Sequence, residues 1–174
     1  VANTTVWSAG HRLVGVALER TQPTMAWAIA DSVANNSATL TPAIGLALPL
    51  ERKGVYRIDG YLAYQSGTTP GIKFALNGPE RWTVQFGLIG IAVAAAGSTG
   101  NGVSDRQSDT AFGVNAGIAL AGSGSAMFAA VRGYVSTNND SGVASIEFAQ
   151  STANASDTFV RAGSWLRAFF MTTN

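Results

Sequence analysis

From Val55 to Tyr64 the chain alternates with a period of two. Tyr56, Ile58, Leu62 and Tyr64 fall on one side, and Arg57, Asp59 and Tyr61 on the other. That is the pattern of a strand with one face in a core and one in water. The 3.6-residue period of an amphipathic helix is nearly absent from the chain. What this sequence can fold into is therefore narrow: a sheet protein whose strands are read by which residues point inward.

The same reading extends to other segments. Between Gly71 and Pro79, Ile72, Phe74 and Leu76 are expected to face inward and Lys73 and Asn77 outward. Gly78-Pro79 ends that strand, because proline cannot donate to a ladder. Ser66 to Gly71 is a turn cluster. Met127–Val135 and Val143–Gln150 read as strands around a hairpin loop, Thr137–Gly142. Phe159–Phe170 reads as the last strand, bent at Gly163-Ser164, with Trp165 expected to close the core. Strands recurring at this spacing predict an all-β, antiparallel β-sandwich of the jelly-roll kind.

Two runs differ. Trp82–Ala96 and Ala111–Ala121 become apolar on both faces, and Gly117-Ile118-Ala119-Leu120 echoes Gly90-Ile91-Ala92-Val93. The two runs are expected to pair with each other. A strand apolar on both sides is buried on both sides, so the outer side should meet a neighbouring chain. The expected subunit interface is Phe86, Leu88, Ile89, Ile91, Val93, Phe112, Val114, Ile118 and Leu120. Residues 1–35 read as an N-terminal arm or docking segment, and residues 36–174 as the sandwich. Within the arm, His11–Glu19 and Met25–Ala30 are strand candidates on either side of Gln22-Pro23-Thr24. The segment fits either an arm crossing to a neighbour, anchored by Trp7 and Trp27, or the first strand of the sandwich.

Charged residues make up 12% of the chain, against about 25% in a typical soluble domain. Subunit interfaces are depleted in Lys, Glu and Asp, so a surface this poor in charge invites association. The net charge is +1 with no basic block, which implies neither nucleic acid nor an anionic membrane. The longest apolar stretch, Phe86–Gly97, has 12 residues, short of the roughly 18 or more of a spanning helix. Val1 to Thr5 show neither the basic nor the apolar part of a secretory signal. With no cysteine there is no disulfide, thiolate metal site or thiol nucleophile, which fits a reducing compartment.

Catalytic patterns are equally scarce. His11 is the only histidine, and no Gly-x-Ser-x-Gly elbow accompanies any serine. Asp105 and Asp109 lie in a polar loop without the alternating acids and distal Glu of an EF-hand. Gly97, Gly100 and Gly102 are not followed by Gly-Lys-Ser/Thr. Asp59 and Glu147 are the two mid-strand acids, and alternation points both away from the core. They are expected to pair with an arginine such as Arg57, Arg132 or Arg161 across strands. No metal or cofactor is expected. Trp82, with Tyr61 and Tyr64, is the candidate groove for stacking on a sugar.

Two stretches carry a resemblance. Gly71-Ile72-Lys73-Phe74-Ala75-Leu76-Asn77-Gly78-Pro79 and Phe148–Ser151 through Val160–Arg167 resemble segments of small virion structural proteins of tailed bacteriophages, particularly those of actinobacteria. The closing Gly163-Ser164-Trp165-Leu166 is also similar in placement to the last strand of C1q/TNF-like jelly rolls, which form trimers. The resemblance implies a non-enzymatic structural protein of the virion, assembled in the host cytoplasm. The role expected within the particle is a capsid decoration (cement) protein that trimerises on the major capsid protein, with a neck, tail or head-fibre protein, or a carbohydrate- or receptor-binding module, as alternatives. It carries no catalytic residues over to this chain.

Overall fold

The computed structural model describes residues 22–90 and 117–173. Among them are eleven strands and no helix: β1 (Thr24–Trp27), β2 (Ser32–Ala34), β3 (Thr41–Leu50), β4 (Gly54–Gln65), β5 (Ile72–Asn77), β6 (Thr83–Ile89), β7 (Ile118–Leu120), β8 (Ala126–Ser136), β9 (Gly142–Gln150), β10 (Thr158–Val160) and β11 (Trp165–Thr173). All pairings are antiparallel.

Two pairs of strands, β1 with β2 and β10 with β11, are single legs with a break. β1 and β2 run in one register along β11 and β10, from Thr24↔Ala168 through Trp27↔Trp165 to Ser32↔Val160 and Ala34↔Thr158. β4 runs along the other side of the same broken leg, with Tyr61 opposite Trp165 and Tyr64 opposite Val160. With each broken leg counted once, and β6 set aside, eight legs remain. The first sheet then orders them first, last, third, sixth, with β6 added outside the sixth leg, β8. The second sheet, β3-β9-β5-β7, orders them second, seventh, fourth, fifth. That interleaving is the jelly roll, two Greek keys wound into a sandwich.

The break in the last leg is built by Arg161–Ser164. Gly163 has φ of 87°, which favours glycine. Its N–H donates to Ala28 O at 2.8 Å, and Ala28 N–H donates to Ser164 O at 2.9 Å. Arg161 N–H donates to Ala63 O at 2.8 Å, and Ser164 Oγ accepts Ala63 N–H at 3.0 Å. The bulged chain thus keeps its backbone groups paired on both sides.

Inside, Tyr56, Ile58, Leu62 and Tyr64 of β4 and Ile72, Phe74 and Leu76 of β5 are buried as the alternation predicts. Leu46, Leu48 and Leu50 of β3 complete the facing layer. β3 carries Pro42 and Pro49, and it pairs only with β9. An edge strand tolerates proline because one side needs no donor.

Residues 24–34 form the first leg of the sandwich, one of the two readings their sequence allowed. The structure differs from two expectations. The two apolar runs do not pair with each other in their described parts: β6 pairs with β8 and β7 with β5, in opposite sheets. Trp165 faces outward, because Leu166 takes the core position. The other residues of these runs, 91–96 and 111–116, the loop between them and residues 1–21 lie outside the described residues, with Trp7, His11, Ile91, Val93, Asp105, Asp109, Phe112 and Val114 among them.

Candidate functional site

The outward side of the first sheet is made of three adjacent rows of side chains fixed by register. One row reads Gln85, Tyr134, Arg57, Phe169. The next reads Gly87, Arg132, Asp59, Arg167, Met25. The third reads Ile89, Ala130, Tyr61, Trp165, Trp27. Successive outward residues on a strand stand about 6.8 Å apart, so these rows form one continuous surface.

Asp59 is its centre. The Asp59 side chain is 8% exposed and faces three guanidinium groups: Arg57 Nη2 at 3.2 Å, Arg132 Nη1 at 3.5 Å and Arg167 Nη2 at 3.6 Å. The strands set this arrangement, since Arg132 and Arg167 sit directly opposite Asp59 and Arg57 lies two residues before it. Three cations face one anion, which leaves an excess of two positive charges. Arg57 lies over the Phe169 ring at 4.6 Å, and Arg167 over Phe169 at 4.8 Å and Trp165 at 5.3 Å. Each such cation–π contact is worth about 0.5–1 kcal/mol at an exposed site, enough to hold the guanidinium planes against the sheet.

Around the charges lies an apolar rim. Trp27 is 51% exposed and its ring centroid is 6.4 Å from that of Trp165. Tyr61 stacks on Phe128 at 5.8 Å, and Phe128 is 65% exposed. Met25, Ile89 and Tyr134 are also exposed. Trp, Tyr and Arg are the residues that dominate binding hot spots, and apolar side chains gathered on one face mark an interaction surface.

The expected site residues divide between this face and the core. Trp27, Tyr61 and Ile89 lie on the face. Trp82 and Tyr64 do not form a stacking groove, because both are buried. The Pro79–Trp82 turn, closed by Trp82 N–H donating to Pro79 O, carries the indole inward, where Nε1 donates to Asp140 O at 2.8 Å. Burial pushes the Tyr64 phenol up to about 12, and its hydroxyl donates to Ala121 O at 3.2 Å. Phe86, Leu88, Ile118 and Leu120, expected at a subunit interface, point inward. They fill the chain's own core, and the opposite side of those strands carries mostly small or polar residues, Thr83, Gln85, Gly87 and Ala119. Met25, Phe128, Phe169, Trp165 and Arg167 join this face without having been singled out for it by sequence. Alternation on β8 and β11 is the signal that could have found them.

The mid-strand acids are placed apart. Asp59 pairs with Arg57 and Arg132 as expected, and with Arg167 besides; Arg161 instead holds Asp31. Glu147 is on the outer side of the second sheet, where it accepts from Asn77 Nδ2 at 2.7 Å. The two acids therefore lie on opposite outer faces of a sandwich whose sheets pack about 10 Å apart, and do not meet across a cleft as a glycosidase pair does. Among the described residues no group of three His, Cys, Asp or Glu could hold a metal ion. A cleft of about 580 Å³ opens at one end of the sandwich, lined by Leu50, Glu51, Tyr56, Val143 and Phe170 among others.

No protein-family model matches the chain, and no curated protein matches it. Among solved structures it is similar to the VP2 subviral particle of infectious bursal disease virus, with 9% identity and a TM-score of 0.23, over 88% of this chain and 42% of that one. It is also similar to a structure of the Gt strain of that virus, with 11% identity and a TM-score of 0.24, over 86% and 40%. The chain spans about two fifths of the length of each. A likeness with TM-scores of this size assigns no function.

Proposed function

We propose that this protein is a non-enzymatic structural subunit of a phage particle, of the capsid-decoration kind, which assembles as a homotrimer and docks on the capsid lattice. The observation that carries this reading is the outer face of the first sheet, a surface of Trp, Tyr, Phe and Arg side chains that the described residues leave uncovered. The resemblance of residues 71–79 and 148–167 to virion proteins supports the particle. The aromatic row from Tyr61 through Trp165 to Trp27, with Met25 and Phe128, is the part that joins copies. Apolar area removed from water there contributes about 25 cal/mol per Å² before association costs. Multivalent docking of a trimer then multiplies a modest affinity for the lattice.

The test is assembly with partner shells. Purified protein should bind capsids that lack it and raise their resistance to heat, and the double variant Trp27→Ser/Phe128→Ser should do neither. Binding by that variant at wild-type strength would mean that this face is not the docking surface.

A further inference from the structure

We infer that Arg57, Arg132 and Arg167 form a receptor for the carboxylate side chains of an acidic protein partner. This rests on the reading of the first sheet's outer face as a docking surface, and it names the partner's chemistry.

The charge balance is the first reason. Asp59 is the only acid on the three rows, and it stands against three guanidinium groups. The positive excess of the cluster attracts and steers in an acidic surface and disfavours a basic one, while the aromatic row beside it is left for contact between copies. The second reason is unused donor capacity. A guanidinium carries five N–H donors, and each arginine reaches Asp59 through a single nitrogen at 3.2 to 3.6 Å. Arg167 Nε is buried with no acceptor. Arg57 and Arg132 are more than half exposed, so their forks are free to take a carboxylate side-on, the pairing for which guanidinium is shaped. The third reason is shape. A small acid or sugar is held in a concave pocket, whereas these groups stand on an open sheet face between aromatic side chains, the setting of a protein–protein hot spot.

The experiment measures fluorescence anisotropy of a labelled glutamate-rich peptide titrated with the full chain, with a lysine-rich peptide and sialyllactose as comparison probes. The glutamate-rich peptide should bind, and the lysine-rich peptide should not. Arg57→Gln/Arg132→Gln should weaken binding about tenfold while leaving the native mass of the protein unchanged. Asp59→Asn, which removes the competing carboxylate, should strengthen binding, with circular dichroism showing a wild-type fold. Sialyllactose binding without peptide binding would make the cluster a glycan site and overturn the inference, as would equal binding by the arginine variant. A fall in native mass in Arg57→Gln/Arg132→Gln would assign the arginines to the subunit contact and overturn it too. Failure of the trimer with peptide binding intact would instead count against the proposed assembly alone.

Discussion

The two outer faces of the sandwich are built on the same backbone and carry opposite contents. On the first sheet the outward residues include Trp27, Trp165, Tyr61, Phe128, Phe169 and Tyr134 with Arg57, Arg132 and Arg167. On the second they include Lys73, Ala75 and Asn77 of β5, Ser145, Glu147 and Ala149 of β9, and Ala119 of β7. The large apolar side chains exposed on β3 and β9 are Ile44 and Val143. Alternation decides which side of a strand meets the core. It leaves open what the other side is for. The outward residues of the second sheet are small or polar, with Ala75 and Ala149 among them buried, while the first places large aromatics where no part of the described chain covers them. The proposed docking role rests on the outward half of the alternation.

The largest effect expected from any single change comes from the core. Trp82→Ala should cost about 3–5 kcal/mol, as large buried aromatics do, measured by denaturant unfolding. Trp27→Ala, an equal loss of ring on the outer face, should change the stability of the isolated monomer by less than about 1 kcal/mol, since exposed sites are near neutral. Similar losses in the two would erase the distinction between core and outer-face aromatics.

Gly163→Ala comes next. No atom lies within 4 Å of the added methyl, so the cost is backbone strain alone, about 1–2 kcal/mol at positive φ. The charge pairs of the two faces give a smaller contrast. Asp59→Ala leaves three mutually repelling guanidinium groups and should cost about 1 kcal/mol, because the arginines are well exposed and screened. Glu147→Ala on the other face should fall within about 0.5 kcal/mol.

Titration gives the smallest effects. The folded-state pKa of Tyr64 is raised above that of the unfolded chain. Its contribution to stability is thus complete below pH 10 and declines between about 10 and 12, as the unfolded chain ionises first. Tyr64→Phe should flatten that decline in alkaline unfolding curves. Asp31 goes the other way. The Ala162 N–H, and then the Arg161 guanidinium, hold its carboxyl below the usual carboxylate range. Its contribution is present above the unfolded carboxylate pKa and is lost as pH falls through the folded one. Asp31→Asn should remove a small part of the acid sensitivity of unfolding.

The inward half of the molecule is legible from sequence. β4, β5, β8 and β9 follow their alternation, and the Gly163-Ser164 bend lies where the composition puts it. β3 is hidden because Pro42, Gly45 and Pro49 interrupt it, although Leu46, Leu48 and Leu50 alternate. The runs Trp82–Ala96 and Ala111–Ala121 look like partners because both are apolar on two faces and share a Gly-Ile-Ala echo, yet β6 and β7 within them pair with β8 and β5, following the winding of the jelly roll and not the likeness of the two strings. The site is half legible. Asp59 and its cross-strand arginines follow from alternation and register. The meeting of Trp27 with Trp165, and of Tyr61 with Phe128, needs strand neighbours that only the topology supplies. Trp82 reads as a surface residue because a turn precedes it, and that same turn directs the indole inward.

Light scattering on a sizing column, run on the wild type, Trp27→Ser/Phe128→Ser and Val143→Ser, tests the central claim most directly. A docking face on the first sheet predicts about three times 17.9 kDa for the wild type and for Val143→Ser, and a monomer for the first-sheet variant. A wild-type monomer at every concentration, or a trimer unmoved by Trp27→Ser/Phe128→Ser, would contradict it.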